Sequence, residues 1–336
     1  MVRRPTKSAL VFPGMFSSRS VHTQAVFMLL FANLFWGLSF PLIKAIMFAH
    51  QQVLTAPNSW FVTACTIAPR FILGAAVLLV FLRKELRSIT RLELKQGILI
   101  GAAAGAGMLF QNDGLQFTSA SVSSFLTQLY AILIPLYVAA RLRRWPSALV
   151  MLSSSLVLGG VAILGRFDFQ TMRLGRGEIE TLVSSLFFMV QILLLENKAF
   201  AANRPLPLTL IMFVVQALIF GVMAVGTATR GADLLMPWTS APWLTFTIVL
   251  TVFCTLGSYT IMNRWQPKIT ATEAGLIYCV EPIFASIMAL FLPALFSRWA
   301  GFDYSNEQLT WHLFVGGGLI TLANILIQLN PPKARA

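Results

Sequence analysis

The chain has 336 residues, 57% of them hydrophobic and 11% charged, with a mean hydropathy of +0.75 and a net charge of +13. Ordinary soluble domains carry about 25% charged residues, so this composition excludes one. The positive excess does not point to nucleic acid, because the basic residues gather in connections on one side of the chain and no basic patch interleaves with aromatics.

Residues 1–23 are basic and Ser-containing, and their apolar run from Ala9 to Phe16 is broken by Pro13 and Gly14. They read as a cytoplasmic tail rather than a cleaved signal. Ten mostly apolar stretches follow, at 24–48, 60–82, 95–113, 117–140, 147–165, 178–197, 207–229, 243–263, 270–292 and 309–329. About 20 apolar residues let a helix cross ~30 Å of hydrocarbon, so the expected fold is all-α, a polytopic membrane protein of ten transmembrane helices in a lipid bilayer. The N-terminal tail, the even-numbered connections and the tail 330–336 hold eighteen Lys and Arg, whereas the odd-numbered connections hold five. Short cytoplasmic loops carry that excess, which places both termini in the cytoplasm.

Cys65, Cys254 and Cys279 all fall within spans without a C-x-x-C, and His22, His50 and His312 are scattered. The cysteines read as packing residues, the histidines are too far apart for a histidine-rich metal site, and neither a metal nor a cofactor is expected. The polar segment 166–177 divides the spans into a first five-helix repeat, 24–165, and a second, 178–329. Five is odd, so the second half crosses the membrane in the opposite sense, the geometry of an inverted repeat. Sliding the chain by 150 residues lays Gly107 on Gly257, Gln116 on Gln266 and Ala139 on Ala289, and brings the Pro135 span onto the Pro282 span three residues out of register. The small residues Gly97, Gly101 and Gly105 of the third span, and Gly316–Gly318 of the tenth, read as close helix contacts.

The first span, Asn33-Leu-Phe-Trp-Gly-Leu-Ser-Phe-Pro-Leu-Ile-Lys44, resembles the opening span of EamA-type members of the drug/metabolite transporter superfamily, with a W-G-x-S-F pattern followed by Lys. Ser121–Pro135 and Ala274–Phe284 are similar to the paired motifs of that family's two halves, and Gln116 and Gln266 just before them also fit. The chain departs from many relatives at Arg141-Leu-Arg-Arg144, which has no acidic residue. The resemblance implies two inverted five-helix repeats around a central cavity that moves small metabolites across a bacterial-type inner membrane, with export of amino acids or related compounds common.

Ionisable groups at membrane depth cost roughly 2.5–3.5 kcal/mol each on insertion scales, so each needs a partner, a wet cavity or a role. Glu281 is deep and precedes Pro282, which cannot continue a helix regularly. It is a candidate for substrate binding or proton carriage, and a structural hydrogen bond or ion pair remains open beside that. Arg70 shares its depth and reads as a structural ion-pair partner. Lys44 shares a face with Asn33, Gly37 and Phe40, with Trp36 alongside, and either binds substrate or snorkels to the surface. Polar stripes run along the fourth span (Ser121, Ser124, Gln128), the sixth (Glu180, Ser184, Phe187, Gln191) and the eighth (Thr251, Thr255, Ser258, Tyr259). Trp36, Phe40, Lys44, Ser124, Gln128, Gln191, Tyr259, Tyr278 and Glu281 are therefore the candidate cavity residues. Gln111, Asn112 and Asp113 end the third span at its outer edge and read as a cap, with a gate as the alternative.

The dipeptide Gly-Lys is absent, so no phosphate-cradling G-x-x-x-x-G-K-[ST] exists and no direct use of ATP is expected. No G-x-S-x-G or H-E-x-x-H suggests an enzyme. A secondary transporter working by alternating access, with proton coupling or exchange, is the leading expectation. A passive pore or lipid-handling scaffold is the alternative, although no ring of like charge or repeated filter sequence marks a pore.

Overall fold

The computed structural model describes residues 18–54, 58–118, 123, 126–164 and 175–329, and among them every regular element is a helix. In chain order these are α1 (Ser18–Val53), α2 (Ser59–Leu82), α3 (Arg91–Gly114), α4 (Tyr130–Leu142), α5 (Ala148–Leu164), α6 (Arg176–Glu196) and α7 (Pro205–Thr227). Next, α8 (Ala241–Val249) passes through a π-helical stretch, Leu250–Gly257, into α9 (Ser258–Trp265). The chain ends with α10 (Ala271–Tyr278), α11 (Glu281–Ala289), α12 (Leu292–Ala300) and α13 (Trp311–Leu329). Among the described residues, six segments are long and apolar enough to cross a membrane: Val21–Val53, Ser59–Leu82, Arg176–Glu196, Pro205–Thr227, Ala241–Lys268 and Ala271–Ala289. Shorter apolar helices accompany them at Tyr130–Leu142, Ala148–Ile163 and Trp311–Ile327.

Local chemistry sets the helix starts. Asn58 accepts from the Trp60 amide at 2.9 Å, and Thr90 and Glu93 form a reciprocal capping box at the head of α3. Thr270 accepts from the Glu273 amide, and α7 opens on Pro205. The first helix outruns its expected 24–48 bounds at both ends. The expected span 270–292 is interrupted between Tyr278 and Glu281, because Pro282 has no amide hydrogen with which to continue the ladder. The stretch between the last two expected spans contains a further helix, α12. Residues 119–122 and 124–125 of the expected fourth span lie outside the described residues, as do 165–174 and most of both tails.

The glycine stripe of α3 seats α7. A Cβ on Gly97 would stand 2.6 Å from that of Ile211, and one on Gly101 2.9 Å from that of Val215. The other face of α3 packs on α6, α2 packs on α7, α5 on α13, and α1 on α11 and on the α8–α9 segment. Polar clasps join the helix ends. Arg204 donates to Glu93 at 2.7 Å and to the Ser88 carbonyl at 2.9 Å. At the other end of α3, Arg176 pairs with Asp113 at 2.5 Å and with Glu180 at 2.8 Å, and lies over the rings of Trp60 and Phe117. Asp113 is thus an ion-pair partner joining α3 to α6 rather than a helix cap.

Candidate functional site

The helices enclose a cavity with about 110 Å³ of space open to the centres of water-sized molecules. About 10–15 Å³ on that measure holds one water, so a solute of several heavy atoms fits. Its walls come from α1 (Trp36, Ser39, Phe40, Ile43), α2 (Arg70), the end of α3 (Met108, Gln111, Asn112, Leu115) and the segment around α4 (Ser123, Thr127, Gln128, Tyr130). Phe188, Gln191 and Ile192 of α6, Tyr259 and Met262 of α9, and Tyr278 and Glu281 on either side of the α10–α11 break complete it.

Aromatic rings make up much of the lining. Trp36 meets Tyr259 edge-on with centroids 5.6 Å apart and Tyr278 at 5.4 Å. Polar side chains are held in place around them. Gln111 donates to Thr127 at 3.2 Å, the Cys279 thiol donates to Gln128 at 3.2 Å, and Gln191 approaches the Met262 sulfur at 3.7 Å.

Arg70 is 1% exposed. Its Nε donates to Thr255 Oγ1 at 2.8 Å, within the π-helical stretch, and Nη2 reaches the Cys254 carbonyl at 3.5 Å. The widened turn matters because Thr255 also reaches back five residues to the Leu250 carbonyl. The ion pair expected of Arg70 is not formed: among the described residues no carboxylate lies within 4 Å of the guanidinium. Glu281 is half-buried, and among the described residues no cation or hydrogen-bond donor holds its carboxylate. The fold therefore brings a guanidinium and a carboxyl group to a common cavity without pairing them.

Of the residues singled out from the sequence, Trp36, Phe40, Gln128, Gln191, Tyr259, Tyr278 and Glu281 line this space, together with Arg70. Ser124 lies outside the described residues. Lys44 is not brought to the cavity: its side chain is exposed and its ammonium sits 5.6 Å from the Tyr304 ring centroid. Phe48 packs on Phe302 and Tyr304, which places the 301–310 connection beside the end of α1, where Lys44 meets the Tyr304 ring. The polar stripes divide by role. Glu180 joins the Arg176 clasp, Thr255 holds Arg70, Ser184 and Thr251 bond to carbonyls of their own helical segments, and Ser258 reaches both the Phe253 carbonyl and that of Ala32 on α1. Thr127, Tyr130 and Met108 were missed from the sequence. Thr127 and Tyr130 flank Gln128 closely enough for a signal, while Met108 carries none.

Residues 23–166 match the EamA-like transporter family. An uncharacterized transporter of Archaeoglobus fulgidus is 24% identical over 307 residues, covering 88% of this chain and 83% of its own. A solved crystal structure with 13% identity covers 91% of this chain and 97% of that chain at a TM-score of 0.64, a likeness of fold. Over residues 23–166 the chain is thus similar to the EamA-like transporters, and that match together with the transporter-named relative supports a membrane transporter rather than an enzyme.

Proposed function

We propose that the protein is a secondary transporter that moves small metabolites, amino acids or related compounds, across a bacterial-type inner membrane by alternating access. The observation that carries this reading is the unpaired Arg70 and Glu281 in one aromatic-walled cavity. A buried charge without a partner is costly, and a substrate bearing a carboxylate and an ammonium relieves both costs at once. Before substrate arrives, Glu281 is free to take a proton, which gives proton coupling or exchange a place to act.

Two inverted five-helix repeats, 24–165 and 178–329, supply the moving parts in this reading, with both termini cytoplasmic. Packing supports it. Exchanging the halves turns the α3–α6 contact into that of α8–α9 with α1, and returns α2–α7 and α5–α13 to themselves. Gly107 of α3 faces the ring of Phe188 on α6 with a virtual Cβ distance of 2.7 Å, and its counterpart Gly257 faces the ring of Phe35 on α1 at 3.2 Å.

Counterflow in proteoliposomes tests the reading. Unlabelled zwitterionic amino acid inside should accelerate uptake of the labelled compound, and Glu281→Gln should fold with near-parent stability yet lose that exchange. Absence of trans-stimulation across amino acids, amines, nucleosides and small drugs would instead favour a passive pore or scaffold.

A further inference from the structure

The cavity reaches the two ends of the bundle unequally. Gln266, in the turn after α9, donates from Nε2 to the Ile192 carbonyl of α6 at 2.7 Å and accepts from the Tyr278 hydroxyl at 2.8 Å. Ile192 and Tyr278 line the cavity, whereas Gln266 is buried just beyond them and does not. Its amide thus ties α6, α9 and α10 together across the basic-loop end.

The 150-residue offset makes Gln116 the counterpart of Gln266, and the offset between Phe35 and Phe188 makes Ser39 that of Ile192. The corresponding bond, Gln116 to the Ser39 carbonyl, would close the opposite end. It is not made: Gln116 turns to α2, donating to the Ser59 carbonyl at 3.0 Å and to Thr63 Oγ1 at 2.9 Å. Ser39 is left lining the cavity, which also extends to Ile43 and Leu115 at that end. Their counterparts by the same offsets, Glu196 and Trp265, do not line it.

We propose that Gln266 and Gln116 are the paired gate pins of the transport cycle, with Gln266 engaged and Gln116 withdrawn in this structure. This rests on the inverted-repeat transporter reading above. With the basic loops cytoplasmic, the arrangement is an outward-facing state. The return stroke releases Gln266 from Ile192 and carries Gln116 from α2 onto the α1 backbone at Ser39. An amide suits Gln266 because it donates to the Ile192 carbonyl while its oxygen accepts from the Tyr278 hydroxyl.

The test reads conformation without reading transport. Ser39→Cys is labelled from outside with a membrane-impermeant thiol reagent, above the background of the parent's buried cysteines, and Gln116→Cys/Ser39→Cys is joined by a short bifunctional thiol reagent. Adding Gln266→Leu should lower the labelling of Ser39→Cys and raise the cross-linking rate, so that the ratio of cross-linking to labelling rises about fivefold, the population shift that follows loss of about one hydrogen bond. If Gln266→Leu fails to fold, Gln266→Glu removes the donor to Ile192 while keeping the acceptor for Tyr278. Gly101→Ala, which loosens the α3–α7 contact instead, should move neither readout in that opposed way. Unchanged rates, or labelling and cross-linking that rise together, would overturn the pin assignment. The transport reading is judged separately by counterflow, so the two fail independently.

Discussion

Arg204 Nε donates to Glu93 Oε1 across 2.7 Å and joins the first turn of α3 to the residue that precedes α7. The hydrogen bond from Arg204 holds the Glu93 carboxyl down to about 2, against the opposing effect of burial and with help from the Thr90 and Arg204 amides. A lowered folded value means the stabilisation is fully present above the unfolded carboxylate value of about 4.3 and is lost as pH falls through about 2. Thermal unfolding in detergent should therefore show the parent losing about 1–2 kcal/mol over that window, a figure discounted for the solvent that screens the half-exposed Arg204. Glu93→Gln should start lower by a similar amount and show little of this decline; a parent and variant with parallel pH profiles would contradict the assignment.

Two glycines should respond with opposite signs. A Cβ on Gly37 would stand 2.6 Å from that of Phe284 and 2.9 Å from the Ala285 nitrogen, so Gly37→Ala should cost about 1–3 kcal/mol by forcing α1 from α11. Nothing lies within 4 Å of a Cβ on Gly159, and Gly159→Ala should gain roughly 0.5–1 kcal/mol from helix propensity. Thermal melts of the two variants side by side check the contrast.

Thr255 is expected to position Arg70. Thr255→Val removes the 2.8 Å acceptor and leaves a buried guanidinium donor unmet, a loss of about 1–3 kcal/mol, while Thr255→Ser retains the hydroxyl and should stay near parent stability. Equal stability of the valine and serine variants would mean that the bond contributes nothing.

Thiol labelling should separate the cavity from the outer surface. Gln191→Cys should react with a small water-soluble thiol reagent and be protected by substrate, because Gln191 lines the cavity. Lys44→Cys should react as well, without protection, because Lys44 is exposed beside Tyr304. Substrate protection of Lys44→Cys would return that position to the binding path.

The helical character of the chain was legible because burying an apolar segment in hydrocarbon depends on its local composition, and each apolar stretch declares itself without reference to the rest of the fold. The break before Glu281 was legible for a similar reason, since proline's missing amide hydrogen acts locally. Helical periodicity also gave the face bearing Trp36 and Phe40, and the faces of Gln128, Gln191 and Tyr259. It could not say where along a face the cavity stops: Ile43 lines it, whereas Lys44, one step of about 100° further round the helix, meets Tyr304 of the 301–310 connection. The partner of Arg70 was equally out of reach. Equal depth suggested Glu281, but a guanidinium bonds to whatever packing sets within about 3 Å, and packing set Thr255, 185 residues away on a π-helical turn. Local transfer energetics determined which segments are helical and apolar. Only the close contacts of distant helices decided which side chains face one another, and so left Arg70 and Glu281 unpaired in the same cavity.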